Sequence, residues 1–421
     1  MALRMLCVLC LMLPTLLSAG EWPAFRGRVQ SEFRGRAEGT GYPTEWSKEK
    51  NIVWKFELPD AGNSSPVVSG GKVFLTCAEN NGKQRHLFCV DATTGKELWR
   101  KTVEHLQPEP THKTNPYCGS SPAVDDERVV VWHGSAGIFC YDHAGNELWK
   151  KEVGPIHHIW GYGSSPIIHE DMVILNIGPG VKTYLTALNV KDGKTLWESP
   201  EPGGNLGEDG PDGQRGKWIG TWSTPQIAKI GERTQIICAM PTRVVSYEPS
   251  TGEVLWFCTG IQDLSYSDPL IGDEIGIMMG GFQRAGMGFR LGGEGDVTAS
   301  NQLWRVAQRN PQRIGSGVII GQFAYLPTAS QIAVQCLDIR TGEIKWEERG
   351  PGTGFWGSMI LADGLLYATD QAGTTHVIKP NPEKLEVVTS NKLGERSNST
   401  PAFVDGKIYL RTNQGLYCVS N

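Results

Sequence analysis

Asp91-Ala-Thr-Thr-Gly95-Lys-Glu-Leu-Trp99 decides the fold, because variants of this stretch recur along the chain. They read Asn189-Val-Lys-Asp-Gly193-Lys-Thr-Leu-Trp197, Glu248-Pro-Ser-Thr-Gly252-Glu-Val-Leu-Trp256 and Asp338-Ile-Arg-Thr-Gly342-Glu-Ile-Lys-Trp346, with a shorter Asp142-His-Ala-Gly145-Asn-Glu-Leu-Trp149. Glycine accepts the left-handed backbone of a tight turn, and the acidic or amide side chain bonds nearby N–H groups. Each copy is therefore a hairpin whose second strand carries a tryptophan.

A second phrase follows each tryptophan. It reads Ser65-Pro66, Ser121-Pro122, Ser165-Pro166, Thr224-Pro225, Asp268-Pro269 and Thr400-Pro401, with degenerate copies at Ser316-Gly317 and Ser358-Met359. Proline suits the first residue of a strand whose N–H joins no ladder. Eight copies between Pro66 and Pro401 recur about every 48 residues, the period of a propeller built from one four-stranded sheet per repeat. Pro269, Gly317 and Met359 each lie thirteen residues beyond a tryptophan; counting back thirteen from Pro401 reaches Val388, so the last full unit has lost its indole.

The ends complete the count. After Pro401 come three strand-like runs, Ala402–Val404, Lys407–Arg411 and Leu416–Val419, with no outer, tryptophan-bearing strand. Asn51–Leu58, around Trp54, is such a strand without a hairpin partner. The expected fold is an all-β, eight-bladed β-propeller of four-stranded antiparallel blades, closed by pairing this N-terminal strand with the C-terminal blade. Seven of fourteen tryptophans (Trp54, Trp99, Trp149, Trp197, Trp256, Trp304, Trp346) hold the repeated position, which reads as packing between blades rather than as ligand stacking.

Residues 1–20 read as a secretory signal: Arg4, an apolar run from Leu6 to Leu17, then Ser18-Ala19-Gly20 as a cleavage site. The run is too short to span a bilayer, so the expected product is exported, with residues 21–50 as an N-terminal extension and 51–421 as the propeller. It has no integral membrane segment and is expected to be monomeric. A net charge of −5 without a basic run argues against nucleic acid as a partner. Cys89, Cys140, Cys336 and Cys418 share one context in which Ala187 also occurs, so they read as small buried apolar groups. A Cys77–Cys89 bridge within one hairpin stays open.

These repeats resemble those of the PQQ-like (pyrroloquinoline quinone-like) repeat family, with its Ala/Cys-x-Asp-x-x-Thr-Gly-x-x-x-Trp pattern. Trp22-Pro23-Ala-Phe25-Arg26-Gly27, Gly295-Asp296-Val297-Thr298 with Trp304, and Leu416-Tyr-Cys-Val are similar to exported PQQ-binding-like propellers of planctomycete-type bacteria. The resemblance is specific for fold and weak for activity. One branch, the quinoprotein alcohol and glucose dehydrogenases, holds PQQ and Ca²⁺ beneath a vicinal disulfide. This sequence has no adjacent cysteine pair and no Cys-x-x-Cys-His haem motif, so no catalytic residue is carried over. The other branch is the outer-membrane assembly lipoprotein of the Bam complex, which binds proteins. Its lipidated cysteine has no counterpart here, so no membrane attachment is expected.

Other chemistry is scarce. No Gly-x-Ser-x-Gly, His-Glu-x-x-His or phosphate-binding loop is present. His157-His158 could share a metal only from a loop, since neighbours on a strand face opposite ways. Glu208, Asp209 and Asp212 in the insertion Glu201–Gly216 lack calcium-loop spacing and read as a solvated acidic loop. Neither a metal nor a resident cofactor is expected. The segments leading into the inner strands hold aromatics beside glycines: Tyr117, Trp160, Tyr162, Trp218, Trp222, Tyr266 and Trp356. They converge on one channel mouth. Tyr117, Trp160, Tyr162, Trp222, Tyr266 and Trp356 are the candidate ligand-binding residues, for a protein or carbohydrate-like partner, although the same rings could instead plug the channel or pack between blades. Gly280–Ser300, with Arg284 and Arg290, is expected to overhang one face and supply positive contacts, or to serve as a structural cap. The leading expectation is a non-catalytic binding or assembly scaffold; the alternative is a divergent PQQ-dependent quinoprotein oxidoreductase.

Overall fold

The computed structural model describes residues 20–180, 183–201, 219–281, 285–306, 311–330, 333–349 and 352–421. Residues 1–19 of the expected signal, Trp218, Arg284 and the acidic trio Glu208, Asp209 and Asp212 lie outside the described residues. Eight antiparallel four-stranded sheets form the propeller. Blade 1 runs Val67–Ser69, Lys72–Glu79, Gln84–Asp91 and Glu97–Glu104 from the channel outward. Blade 8 takes Ala402–Val404, Lys407–Arg411 and Gly415–Val419 from the end of the chain and Ile52–Glu57 as its outer strand. Trp54 sits opposite Cys418 in that closing pair. The ring therefore has no missing strand.

The recurrent glycine and tryptophan meet across blade boundaries. The Trp54 indole donates to the Ala92 carbonyl of blade 1, Trp99 to His143 of blade 2, Trp149 to Val190 of blade 3 and Trp197 to Pro249 of blade 4. Trp304 and Trp346 repeat this with Ile339 and Asn381. Each of the first four indoles lies on the next blade's turn glycine: a Cβ added at Gly95, Gly145, Gly193 or Gly252 would come within 3.0 Å of the ring. These glycines also have positive φ, so two independent constraints exclude a side chain there.

Trp256 is the exception. It is fully buried within its own blade and donates to Gln235 Oε1 at 2.9 Å, because blade 5 has no Thr-Gly turn to receive it. The described residues 285–300 of the segment expected to overhang a face are instead built into the blades there. Gly286–Arg290 is the third strand of blade 5, and Gly295–Asp296 pairs in parallel with the Trp256 strand of blade 4.

The cysteine context has a structural cause. Cys89, Cys140, Cys336 and Cys418 stand directly opposite Trp99, Trp149, Trp346 and Trp54 in their ladders, where Ala187, Ser246 and Gly288 stand opposite the other three. A small residue leaves room for the cross-strand indole; at Gly288 a Cβ would lie 2.2 Å from Trp304 Nε1. Blade 7, which lacks the indole, has the larger Val377, opposite Thr389. Thr389 rather than Val388 is thus the indole equivalent, because the stretch from it to Pro401 is one residue shorter than the thirteen that follow Trp256, Trp304 and Trp346. Eight cysteines, Cys77 through Cys418, are buried and free. The Cys77–Cys89 bridge does not form: Cys77 faces His86, and Cys89 faces Phe74.

The residues 21–50 form a strap under the ring of inner strands. Trp22 exchanges backbone hydrogen bonds with Val68 of blade 1, Pro23 accepts from Val124 of blade 2, and Ser31 donates to Ile227 of blade 4. Farther along, Ala37 bonds Leu361 of blade 7 and Tyr42 packs on Phe403 of blade 8 at 5.3 Å. One end of the channel is closed by the protein's own chain.

Candidate functional site

The phrase that opens each blade builds the wall of the channel. The Ser65 N–H donates to Ser121 Oγ, Ser121 N–H to Ser165 Oγ, and Ser165 N–H to Thr224 Oγ1. The series continues through Asp268 Oδ1, Ser316, Ser358 and Thr400, and Thr400 N–H donates back to Ser65 Oγ. Eight hydrogen bonds of 2.8–3.2 Å thus run in one direction around the channel and close on themselves. Proline after the hydroxyl residue fits, since no N–H is needed there. The Ser-Pro repeats are visible in the sequence; a ring made by their hydroxyls is not, because its partners come from successive blades.

Above this ring opens a cavity of about 390 Å³. Phe25 of the N-terminal strap reaches it, and the strap's bonds to Val68, Val124 and Ile227 lie below the ring. The cavity is therefore blind: closed beneath by the strap, open above. Seven ring residues line it (Ser65, Ser121, Ser165, Asp268, Ser316, Ser358, Thr400), with the amides Asn63, Asn115, Asn398 and Gln312, and with His112.

Four expected aromatics also line it: Trp160, Trp222, Tyr266 and Trp356. Gly220–Thr221 and Leu264–Ser265 pair in parallel, so the rings that follow them, Trp222 and Tyr266, emerge side by side at 5.1 Å. Trp160 packs on both, at 6.1 and 6.0 Å, and the Trp222 indole donates to Gly161 O at 2.8 Å. His158 lies edge-on to Trp222 at 5.0 Å, and burial pulls its imidazole down to about 4, so it is neutral at pH 7. All four cavity aromatics are half-buried.

Two other expected residues are elsewhere. Tyr162 is buried against Trp132 at 4.8 Å and packs over Gly134. Tyr117 covers Gly82 of the blade 1 hairpin, takes Arg85 against its ring face at 5.3 Å and donates to Glu109 O. These rings pack between elements because a bare glycine receives each one. Asn63, Asn115 and Asn398 carry the polar side of the cavity and were not anticipated. Asn115 donates to the carbonyls of Trp160 and Tyr162 at 2.8 and 2.9 Å, and Asn63 and Asn398 donate to Thr114 O. The Asn63-Ser-Ser and Asn398-Ser-Thr triplets are the only sequence trace of two of them.

Among the described residues no group of three or more His, Cys, Asp or Glu could hold a metal ion. His158 of the histidine pair accepts from the Trp160 N–H. Glu201, at the start of the acidic insertion, is buried and paired with Arg243 at 2.9 Å.

Such a closed ring of eight four-stranded blades with an aromatic-walled mouth defines the class as an eight-bladed β-propeller. The family described as outer membrane protein assembly factor BamB matches residues 48–205 and 83–348, so the chain belongs to this PQQ-like repeat family. It is 25% identical over 175 residues to the quinoprotein alcohol dehydrogenase PedH of Pseudomonas putida, covering 40% of this chain and 28% of that protein. It is 23% identical over 248 residues to a polyvinylalcohol dehydrogenase of a Pseudomonas species, covering 51% of this chain and 37% of that one. The matched stretches thus span about a third of those relatives. Among solved structures, BamB from Moraxella catarrhalis shares the fold with a TM-score of 0.62 at 12% identity, covering 88% of this chain and 97% of that one. A europium-containing methanol dehydrogenase has a TM-score of 0.68 at 13% identity, covering 94% and 90%. No helix among the described residues is long and apolar enough to cross a membrane.

Proposed function

We propose that this protein is a non-catalytic binding scaffold, exported from the cytoplasm, that holds a carbohydrate-like ligand in the blind cavity. The observation that carries the reading is the lining itself: the cluster of Trp160, Trp222 and Tyr266, Trp356 set among side-chain amides, and a ring of hydroxyls beneath them, above a floor made by the chain. Stacking on rings with hydrogen bonds to neutral polar groups suits a polyhydroxylated, uncharged ligand. A protein partner remains compatible with the BamB-type family and would approach the same mouth.

The two dehydrogenase relatives favour a second reading, a quinoprotein oxidoreductase. Pyrroloquinoline quinone is a planar polycarboxylate and needs cationic groups; among the described residues lining the cavity none is Arg or Lys. Calcium needs about six to eight oxygen ligands, with carboxylates prominent. The one carboxylate in the lining, Asp268, is already held by Arg26 and Arg34. These residues do not fit that cofactor.

The test is a panel of neutral and acidic soluble oligosaccharides titrated calorimetrically into the purified protein, alongside PQQ with Ca²⁺. Saturable binding of a neutral sugar that Trp356→Ala weakens about tenfold or more supports the reading. Tight uptake of the quinone with dye-linked alcohol oxidation, or sugar binding indifferent to Trp356→Ala, refutes it.

A further inference from the structure

Beneath the ring, outside the ligand cavity, the N-terminal strap brings three arginines together. Arg26 and Arg34 are almost wholly buried, and Arg36 is half-buried beside them. They border a separate cavity of about 20 Å³, lined also by residues of blades 4, 5 and 6. That volume holds about one water-sized particle.

The hydrogen bonding there is incomplete. Arg26 Nη2 donates to Gly317 O at 2.6 Å and Arg34 Nη2 to Asp268 Oδ2 at 3.3 Å. Arg36 Nη2 donates to Ile319 O. Arg26 Nε and Arg34 Nε and Nη1 have no hydrogen-bond partner, and Arg26 Nη1 only approaches Asp268 Oδ2, at 3.5 Å, without bonding it. Leaving buried donors unpaired is costly, so such groups point to a missing acceptor.

The charge is also unbalanced. Two fully buried guanidiniums share one carboxylate, Asp268, whose other oxygen is taken by the Thr224 N–H. Arg36 adds positive charge, offset only by the field of Asp273. A buried net charge is unfavourable unless it is paired. Burial pulls the Arg26 guanidinium down to about 10, with Arg34 adding to the fall and Asp268 opposing it. Water in the cavity would accept N–H groups and leave the charge; a small anion satisfies both.

We propose that the cavity bounded by Arg26, Arg34 and Arg36 binds a monatomic anion such as chloride, which fixes the N-terminal strap beneath the channel. The ion is the missing acceptor for the inner arginine N–H groups and cancels the excess charge. It ties a segment far from blades 4 to 6 in sequence to the underside of those blades. The site lies below the ring and does not rest on the ligand proposed above it, although Asp268 borders both.

The experiment uses the full protein. Crystals grown in sodium bromide should show an anomalous peak within hydrogen-bond distance of Arg26 and Arg34. In solution, the melting temperature should rise saturably by about 2 °C or more as chloride replaces gluconate at constant ionic strength. Arg34→Met should abolish that dependence. If Arg34→Met does not fold, Arg36→Gln, at the half-exposed side, should move the chloride midpoint about tenfold higher. Identical melting in chloride and gluconate, or bromide crystals with no peak between the arginines, overturns the proposal.

Discussion

Gly252→Ala isolates the contact that joins one blade to the next. Gly252 has φ +73°, and an added Cβ would stand 2.3 Å from Trp197 Cε3 and 2.6 Å from Cδ2. The left-handed backbone costs an alanine about 1–2 kcal/mol, less about 0.4–1 kcal/mol regained from a stiffer unfolded chain. The indole must also move, which sacrifices its 2.8 Å bond to Pro249 O, worth about 1 kcal/mol, and packing besides. The expected loss is about 3 kcal/mol. Gly231 in the same blade is the matched control: φ is +60°, and nothing lies within 4 Å of an added Cβ. Gly231→Ala should therefore cost only about 1 kcal/mol. Urea unfolding followed by fluorescence and circular dichroism measures both, and Trp197→Leu with Gly252→Ala completes a cycle that should be less than additive. Equal losses for the two alanine variants would refute a glycine–indole lock.

The channel ring and the buried histidines give two further outcomes. Thr400→Val removes the acceptor for the buried Ser358 N–H and should cost about 1–3 kcal/mol in unfolding free energy, whereas Thr400→Ser should cost far less; equal losses would show that the hydroxyl is idle. His133 and His158 are held neutral by burial, at about 3 and about 4, below the unfolded value of about 6.5. The unfolded state therefore takes up protons first, and stability is lost as pH falls below about 6.5, continuing down to their folded values. At pH 5 each contributes a loss of about 2 kcal/mol relative to pH 7.5. His133→Gln should flatten the midpoint-against-pH curve, and an unchanged slope would assign the acid loss to other groups.

Blade number, ring closure and the role of most repeated tryptophans are legible in the sequence because each repeat carries its own turn and strand pattern. The length of the last connecting segment is not: it is one residue shorter than the count assumes, which moves the indole position from Val388 to Thr389. The cavity is half legible. Aromatic residues beside glycine recur in the connecting segments, but the pattern is the same for Trp222 at the mouth and Tyr162 in the core. What separates them is the surface each ring meets: Gly134 waits under Tyr162, while Trp222 is steered by the short parallel pair to Leu264–Ser265. The strap is the least legible part. Residues 21–50 have no repeat, and their partners at Val68, Ile227 and Leu361 are scattered over distant blades.

The strand Ile52–Glu57 is made before any other part of the propeller, yet the sheet that receives it, through Gly415–Val419, is made last. During synthesis or passage across a membrane, seven finished blades would still be an open arc with a bare edge at each end. Assembly must therefore wait for the final stretch of polypeptide, and clipping off the last dozen residues should undo the whole wheel rather than one spoke.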